Sequence, residues 1–168
     1  IPALVKGQVL KAVEEADLLL FVVDGRTGIT ALDQEVAQIL RRSQRPVVLV
    51  ANKVERPTQD VPLADLYRLG FAQVHAVSAE HGRGVAELLE VVRALAPEPT
   101  SGSDSSGLRV AVVGRPNVGK SSLINAILGT ERVLVHAAPG TTRDAVDSPL
   151  LYRNRPYLLI DTAGIRRK

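Results

Sequence analysis

Residues 114 to 122 read GRPNVGKSS, which matches the pattern G-x-x-x-x-G-K-[ST] at Gly114, Gly119, Lys120 and Ser121. The preceding LRVAVV is apolar enough for a buried strand, and residues 118–128 that follow have helical spacing. A strand, a glycine turn and a helix are the context that this pattern needs to hold phosphate. The glycines let backbone N–H groups close around phosphate oxygens, the helix N-terminus adds a positive dipole, and Lys120 brings a charge for the β- and γ-phosphates. The Ser121 hydroxyl is the expected Mg2+ ligand. Such a loop ordinarily follows the first strand of its domain, yet here it begins two thirds of the way along 168 residues.

Upstream, residues 1–16 have helical periodicity, and ADLLLFVVDG gives a near-continuous apolar run closed by Asp24-Gly25. Runs of that kind suit strands buried on both faces of a parallel sheet. A helix is expected over 31–42, a second buried strand over 46–52, a short helix over 63–69, a third strand in AQVHAVSA and a further helix over 85–96. Strand and helix in alternation predict a doubly wound, mostly parallel α/β sheet. PEPTSGSDSSG, Pro97 to Gly107, contains no residue that anchors a core and reads as a flexible linker. The pattern restarts at Leu108 and ends in two strands, expected over 147–152 and 156–161.

Candidate ligand contacts cluster where these strands end. LLIDTAG puts Asp161 at a strand terminus, where a carboxylate can hold Mg2+, with the Gly164 N–H near a γ-phosphate. Thr142, with Thr141 as a competing candidate, lies on a polar loop long enough to order around that phosphate. In ANKVE, Asn52 can bond the N7 edge of a purine, Lys53 can lie along the base, and Glu55 can accept from N1–H and N2–H2 of guanine. In VSAE, the backbone at Ser78 and Ala79 can meet the guanine O6. Open α/β sheets bind ligands at the carboxyl ends of their strands, where all these groups fall.

Composition sets the outer limits. Hydrophobic residues at 45% and charged ones at 23% describe a folded chain with one core of ordinary size. No apolar run approaches the roughly 20 residues that cross a bilayer, and no secretory leader is evident, so a cytoplasmic protein without membrane contact is expected. Cysteine is absent, which leaves oxygen or imidazole ligands for any metal. A net charge of +3 permits a nucleic-acid partner, although aromatic residues for base stacking make up only 3%. Methionine is absent and the chain opens IPALVKGQVL, which predicts a piece of a longer protein.

GRPNVGKSS, GTTRD, DTAG, NKVE and VSAE together resemble the five signatures of translation-factor-related GTPases. VDGRTGIT and DTAGIRRK narrow the resemblance to the bacterial double-GTPase family of ribosome assembly called Der, or EngA. Members carry two tandem GTPase domains and a KH-like RNA-binding domain. Residues 1–96 resemble the base-recognition half of the first GTPase domain, and 108–168 the phosphate-binding half of the second. The resemblance implies a P-loop GTPase fold with its motifs in circularly permuted order and the strand at 108–113 beside the strand at 17–23. Each half alone would leave a sheet edge uncovered. Two arrangements close the core: a permuted monomer, which the linker's reach of about 17 to 20 Å as a coil favours, or a domain-swapped dimer.

By the same resemblance, guanine nucleotide (GTP or GDP) is held by Gly114, Asn117, Val118, Gly119, Lys120, Ser121 and Ser122 at the phosphates. Asn52, Lys53, Glu55, Ser78 and Ala79 hold the base. Mg2+ falls to Ser121, Thr142 and Asp161, a further K+ to Asn117, and hydrolysis to Lys120, Thr142 and Gly164. The implied partner is the large ribosomal subunit or its rRNA, through the parent protein. Two departures bear on activity. Glu55 stands where the family's base reader is commonly Asp, and Ile165 stands where many GTPases place a water-orienting Gln, which implies slow hydrolysis. The competing readings are a nucleotide-binding fragment without useful turnover and a P-loop ATPase or small-molecule kinase.

Overall fold

The computed structural model describes residues 1–56, 63–97, 107–135 and 147–163. Among them seven strands form one sheet in the order β3-β2-β1-β4-β7-β6-β5: β1 (Leu18–Asp24), β2 (Val47–Asn52), β3 (Val74–Ala76), β4 (Leu108–Val113), β5 (Val133–Val135), β6 (Asp147–Tyr152) and β7 (Arg155–Asp161). The five strands from β3 through β7 in that order run parallel, and β6 and β5 add an antiparallel edge. The helices are α1 (Ala3–Glu15), α2 (Ala31–Arg42), α3 (Leu63–Leu66, continued by a 3-10 turn over Tyr67–Leu69), α4 (Val85–Leu95) and α5 (Lys120–Leu128).

All seven residues of β1 are buried, as a central strand covered on both faces requires. Leu18, Leu20 and Val22 enter the core under α4 and α5, while Leu19, Phe21 and Val23 enter the core under α1 and α2. Phe21 meets Phe71 edge to face at 5.8 Å between centroids. Burying such side chains contributes about 1.5–3 kcal/mol each, so β1 is the strand the rest assembles around. Its pairing with β4, Leu18 to Val110 through Phe21 to Val113, brings the strand before the glycine turn beside the strand ending in Asp24. The Asp17 N–H donates to the Arg109 carbonyl at 2.8 Å, and the Arg109 N–H to the Asp17 carboxylate at 2.9 Å.

The sequence reading differs in three places. Helix α5 starts at Lys120 rather than 118, because its N-cap Gly119 sits at φ +97°, outside helical space. The third strand spans only Val74–Ala76. Strand β5 was not expected: three residues with Leu134 and Val135 exposed are too short to show a period. Residues 98–106 of the expected linker lie outside the described residues. No helix among the described residues is long and apolar enough to cross a membrane.

Candidate functional site

Because β1, β2, β3, β4 and β7 are parallel, their carboxyl ends lie along one side of the sheet. Asp24, Asn52, the turn at Ser78, the glycine loop and Asp161 therefore meet there. The loop after β4 is packed so closely that two glycines are obligatory. A Cβ at Gly114 would stand 2.4 Å from the Val22 carbonyl oxygen, and one at Gly119 would stand 2.2 Å from Nδ2 of Asn52. Asn117 also takes a left-handed conformation, φ +68°.

Lys120 is buried, and its Nζ donates to the carbonyls of Gly114 at 2.7 Å and Arg115 at 2.8 Å. Burial pushes its pKa down to about 8, against the pull of Asp161 and with a further push from Arg115. Two carbonyls hydrogen-bond the ammonium without neutralising it, and an anion in the loop would. Ser121 is half-buried and Ser122 exposed on the first turn of α5. Asp161 ends β7 half-buried; one carboxylate oxygen accepts the Ala163 N–H at 3.1 Å, and the Thr162 hydroxyl donates to the Val112 carbonyl at 2.7 Å. A tight glycine cradle, an under-neutralised ammonium and a carboxylate on the adjoining strand form a donor set that fits a phosphate chain with Mg2+.

Asn52 joins this loop to the other half of the site. Its Nδ2 donates to the Val118 carbonyl at 3.0 Å, and its Oδ1 accepts the Ala79 N–H at 3.0 Å. Asn52 thus spends one amide hydrogen and its carbonyl on structure, leaving one N–H for a purine N7. The Ala79 N–H expected to meet the guanine O6 is already donated to Asn52. Ser78 is buried, and its backbone closes a small bridge with Arg83. Lys53, at φ +67°, extends its Nζ to Asp24 at 3.0 Å and to the Asn117 carbonyl at 2.8 Å. Glu55 is set toward solvent, its side chain 53% exposed and its Oε1 3.4 Å from Nε2 of His81.

Three residues that the sequence reading missed complete the arrangement. Asp24 accepts the N–H groups of Arg26 and Thr27 and pairs with Lys53. Burial alone would raise its pKa, but the Arg26 N–H, the Lys53 ammonium and the Thr27 N–H outweigh it and hold the carboxyl below its usual value. Asp33, fully buried, closes the capping box of α2 with Thr30 and lies 3.5 Å from the Arg115 guanidinium. Arg115 also donates to the Thr27 hydroxyl at 2.9 Å, so the 24–33 segment grips both the phosphate loop and Lys53. The spacing Thr30-x-x-Asp33 was the available signal, as a capping box. Thr141, Thr142, Gly164 and Ile165 lie outside the described residues.

Comparisons with known proteins agree with this geometry. The family model for the 50S ribosome-binding GTPase matches residues 3–53 and 109–168. GTPase Der of Moorella thermoacetica is 53% identical over 166 residues, and that of Legionella pneumophila 46% identical over 169. These alignments cover 99% and 100% of the chain, but only 38% and 37% of the relatives' own lengths. The crystal structure of YjeQ from Thermotoga maritima superposes with a TM-score of 0.52 at 18% identity over 92% of the chain and 51% of that protein, a likeness of fold. The sheet order and the loop after β4 are thus those of a P-loop GTPase, and the chain belongs to the 50S ribosome-binding GTPase family.

Proposed function

We propose that this chain binds GTP and GDP at the carboxyl ends of its parallel strands and hydrolyses GTP slowly to GDP and phosphate, as part of a cytoplasmic protein that works on the large ribosomal subunit. The observation that carries the reading is the Asn52 side chain, which ties Val118 of the phosphate loop to Ala79 of the base-side turn. In this reading residues 1–96 and 108–168 act as one permuted nucleotide-binding unit. The β1 to β4 pairing supports that arrangement.

Lys120, Gly119 and the loop N–H groups hold the β- and γ-phosphates, and Ser121, Asp161 and Thr142 are the residues that would hold Mg2+, which would supply charge neutralisation to the phosphates. Water attacks the γ-phosphorus in line, the bond to the β–γ bridging oxygen breaks, and GDP leaves. The chain's own contribution is electrostatic: Lys120 and the loop N–H groups meet the charge that develops on the phosphoryl oxygens, and Gly164 adds an N–H. On the base side Glu55 receives N1–H and N2–H2, with Asn52 at N7 and the Lys53 stem along the ring. Asn117 is the proposed K+ ligand beside the phosphates. Single-turnover hydrolysis measured in K+ and in Na+ tests the reading. Faster turnover in K+, abolished in Asn117→Ala, is expected; no hydrolysis in either salt would reduce the chain to a nucleotide-binding module.

A further inference from the structure

A second surface lies at the opposite end of the sheet. Helix α2 runs back from the carboxyl end of β1 and ends in Arg41 and Arg42; Arg45 follows just before β2, and Arg68 lies on the 3-10 turn that leads into β3. All four arginines are exposed, and among the described residues none is ion-paired. Arg41 holds the group together. Its guanidinium donates to the Leu69 carbonyl, and a Cβ on Gly70 would come within 2.9 Å of its Cδ.

Two open grooves meet at Arg41. One, of about 450 Å3, runs along α2 past Gln34 and Gln38 to Arg41 and Arg68, with Asp65 as its acidic residue. The other, of about 350 Å3, passes from Arg41 to Arg45 and the rim of Phe71. Tyr67, 52% exposed beside Arg68, adds an aromatic ring. Basic residues in the last turn of α2 also complement its dipole, but that role does not account for Arg45 or Arg68, which lie beyond the helix.

We propose that this arginine-lined double groove binds the phosphate backbone of RNA. Guanidinium forks match phosphate oxygens in pairs, the glutamines offer both donors and acceptors to sugars and base edges, and an exposed ring can stack on an unpaired base. The groove has no broad apolar face for a membrane. Membership of a ribosome-binding family makes a polyanionic RNA surface the fitting partner, and the inference goes beyond nucleotide turnover by locating where that surface docks. Every residue of the groove falls within 28–72, so it does not depend on how the two halves of the chain pair. One end of the first groove reaches Gly28 and Ile29 in the segment that follows β1, but its arginine end lies at the amino end of β2, about 20 Å from the carboxyl ends of the strands.

The test is fluorescence anisotropy of the full chain with a labelled RNA hairpin of about 20 nucleotides, titrated between about 50 and 200 mM KCl. Arg42→Gln/Arg45→Gln/Arg68→Gln should weaken RNA binding by about tenfold and flatten the log–log salt slope by about two, since each phosphate the protein no longer neutralises lowers the slope by roughly 0.7–0.9. Each single replacement should remove about a third of that change, and the triple lysine variant should keep the slope while giving up part of the affinity. GDP affinity should be unchanged throughout, which separates this surface from the nucleotide site. RNA binding by the triple glutamine variant with the original affinity and slope would overturn the proposal. So would displacement of the RNA by polyglutamate as effectively as by unlabelled hairpin.

Discussion

The phosphate end and the base end of the site occupy one edge of one sheet, yet they are held very differently. At the phosphate end Lys120 is 6% exposed, bonded to two carbonyls and enclosed by a loop in which a single added carbon at Gly119 would collide with Asn52. At the base end Asn52 is buried as well, but Glu55, the group proposed to read guanine, is half exposed and faces His81 at 3.4 Å. An exposed pair of that kind contributes little. The proposed phosphate contacts are pre-organised by packing, whereas Glu55, the proposed base reader, is half exposed before a base arrives. Affinity should therefore rest chiefly on the phosphate end, with identity decided by a looser group.

Removing the joint between the two ends should have the largest effect. Asn52→Ala leaves the Val118 carbonyl and the Ala79 N–H buried and unpaired, at a cost of about 2–5 kcal/mol. A thermal midpoint lower by about 5–15 °C is expected in scanning calorimetry, together with loss of nucleotide binding. Lys120→Ala should separate the two properties. Guanine-nucleotide affinity should fall by about 3 kcal/mol, roughly 150-fold, while the midpoint should fall less than in Asn52→Ala, because loss of an incompletely neutralised buried ammonium offsets the Gly114 and Arg115 carbonyls left without their donor. A fall in midpoint as large as that of Asn52→Ala would mean that the lysine is structural.

The Lys120 pKa gives a pH signature with a definite sign. With a folded value of about 8 against 10.5 unfolded, the ammonium is charged in both states below pH 8, and its burial penalty is then fully present. Between pH 8 and 10.5 the unfolded chain binds more protons, so the stability of the nucleotide-free protein should rise across that window. Bound phosphates should raise it back toward the ordinary lysine value. Titration with GDP near pH 8 in buffers of different ionisation enthalpy should then show uptake of about half a proton per nucleotide. Proton release would contradict the placement of Lys120.

The smallest effect concerns Glu55. If Glu55 reads the base as proposed, its extra methylene relative to aspartate has to be absorbed by a bent rotamer, so Glu55→Asp should tighten GTP binding by roughly two- to tenfold, near 0.5 to 1.4 kcal/mol. Competition binding checks it. Weaker binding of GTP by Glu55→Asp would remove Glu55 from the base pocket and leave only the phosphate half of the comparison intact.

These asymmetries show which parts of the molecule a sequence can disclose. The central strands were legible because burial on both faces writes them as unbroken apolar runs, and the phosphate loop because each of its positions has one steric or electrostatic solution. Asp161 was legible beside that loop. Asp24, in the same situation at the end of β1, was not, because its partners are a lysine 29 residues away and two backbone N–H groups that carry no motif. The Arg115 to Asp33 contact was hidden for the same reason. Strand β5 was missed because an edge strand of three residues has no period to show.

The claim that both ends form one guanine-nucleotide site is tested most directly by displacement of a fluorescent GDP from the unmutated chain in Mg2+. Unlabelled GTP and GDP should displace it at comparable concentrations, and ATP should fail even at about a hundredfold excess, because adenine offers no N1–H and N2–H2 donors to the proposed base reader Glu55. Displacement by ATP as readily as by GTP, or no binding of the probe at all, would contradict the account.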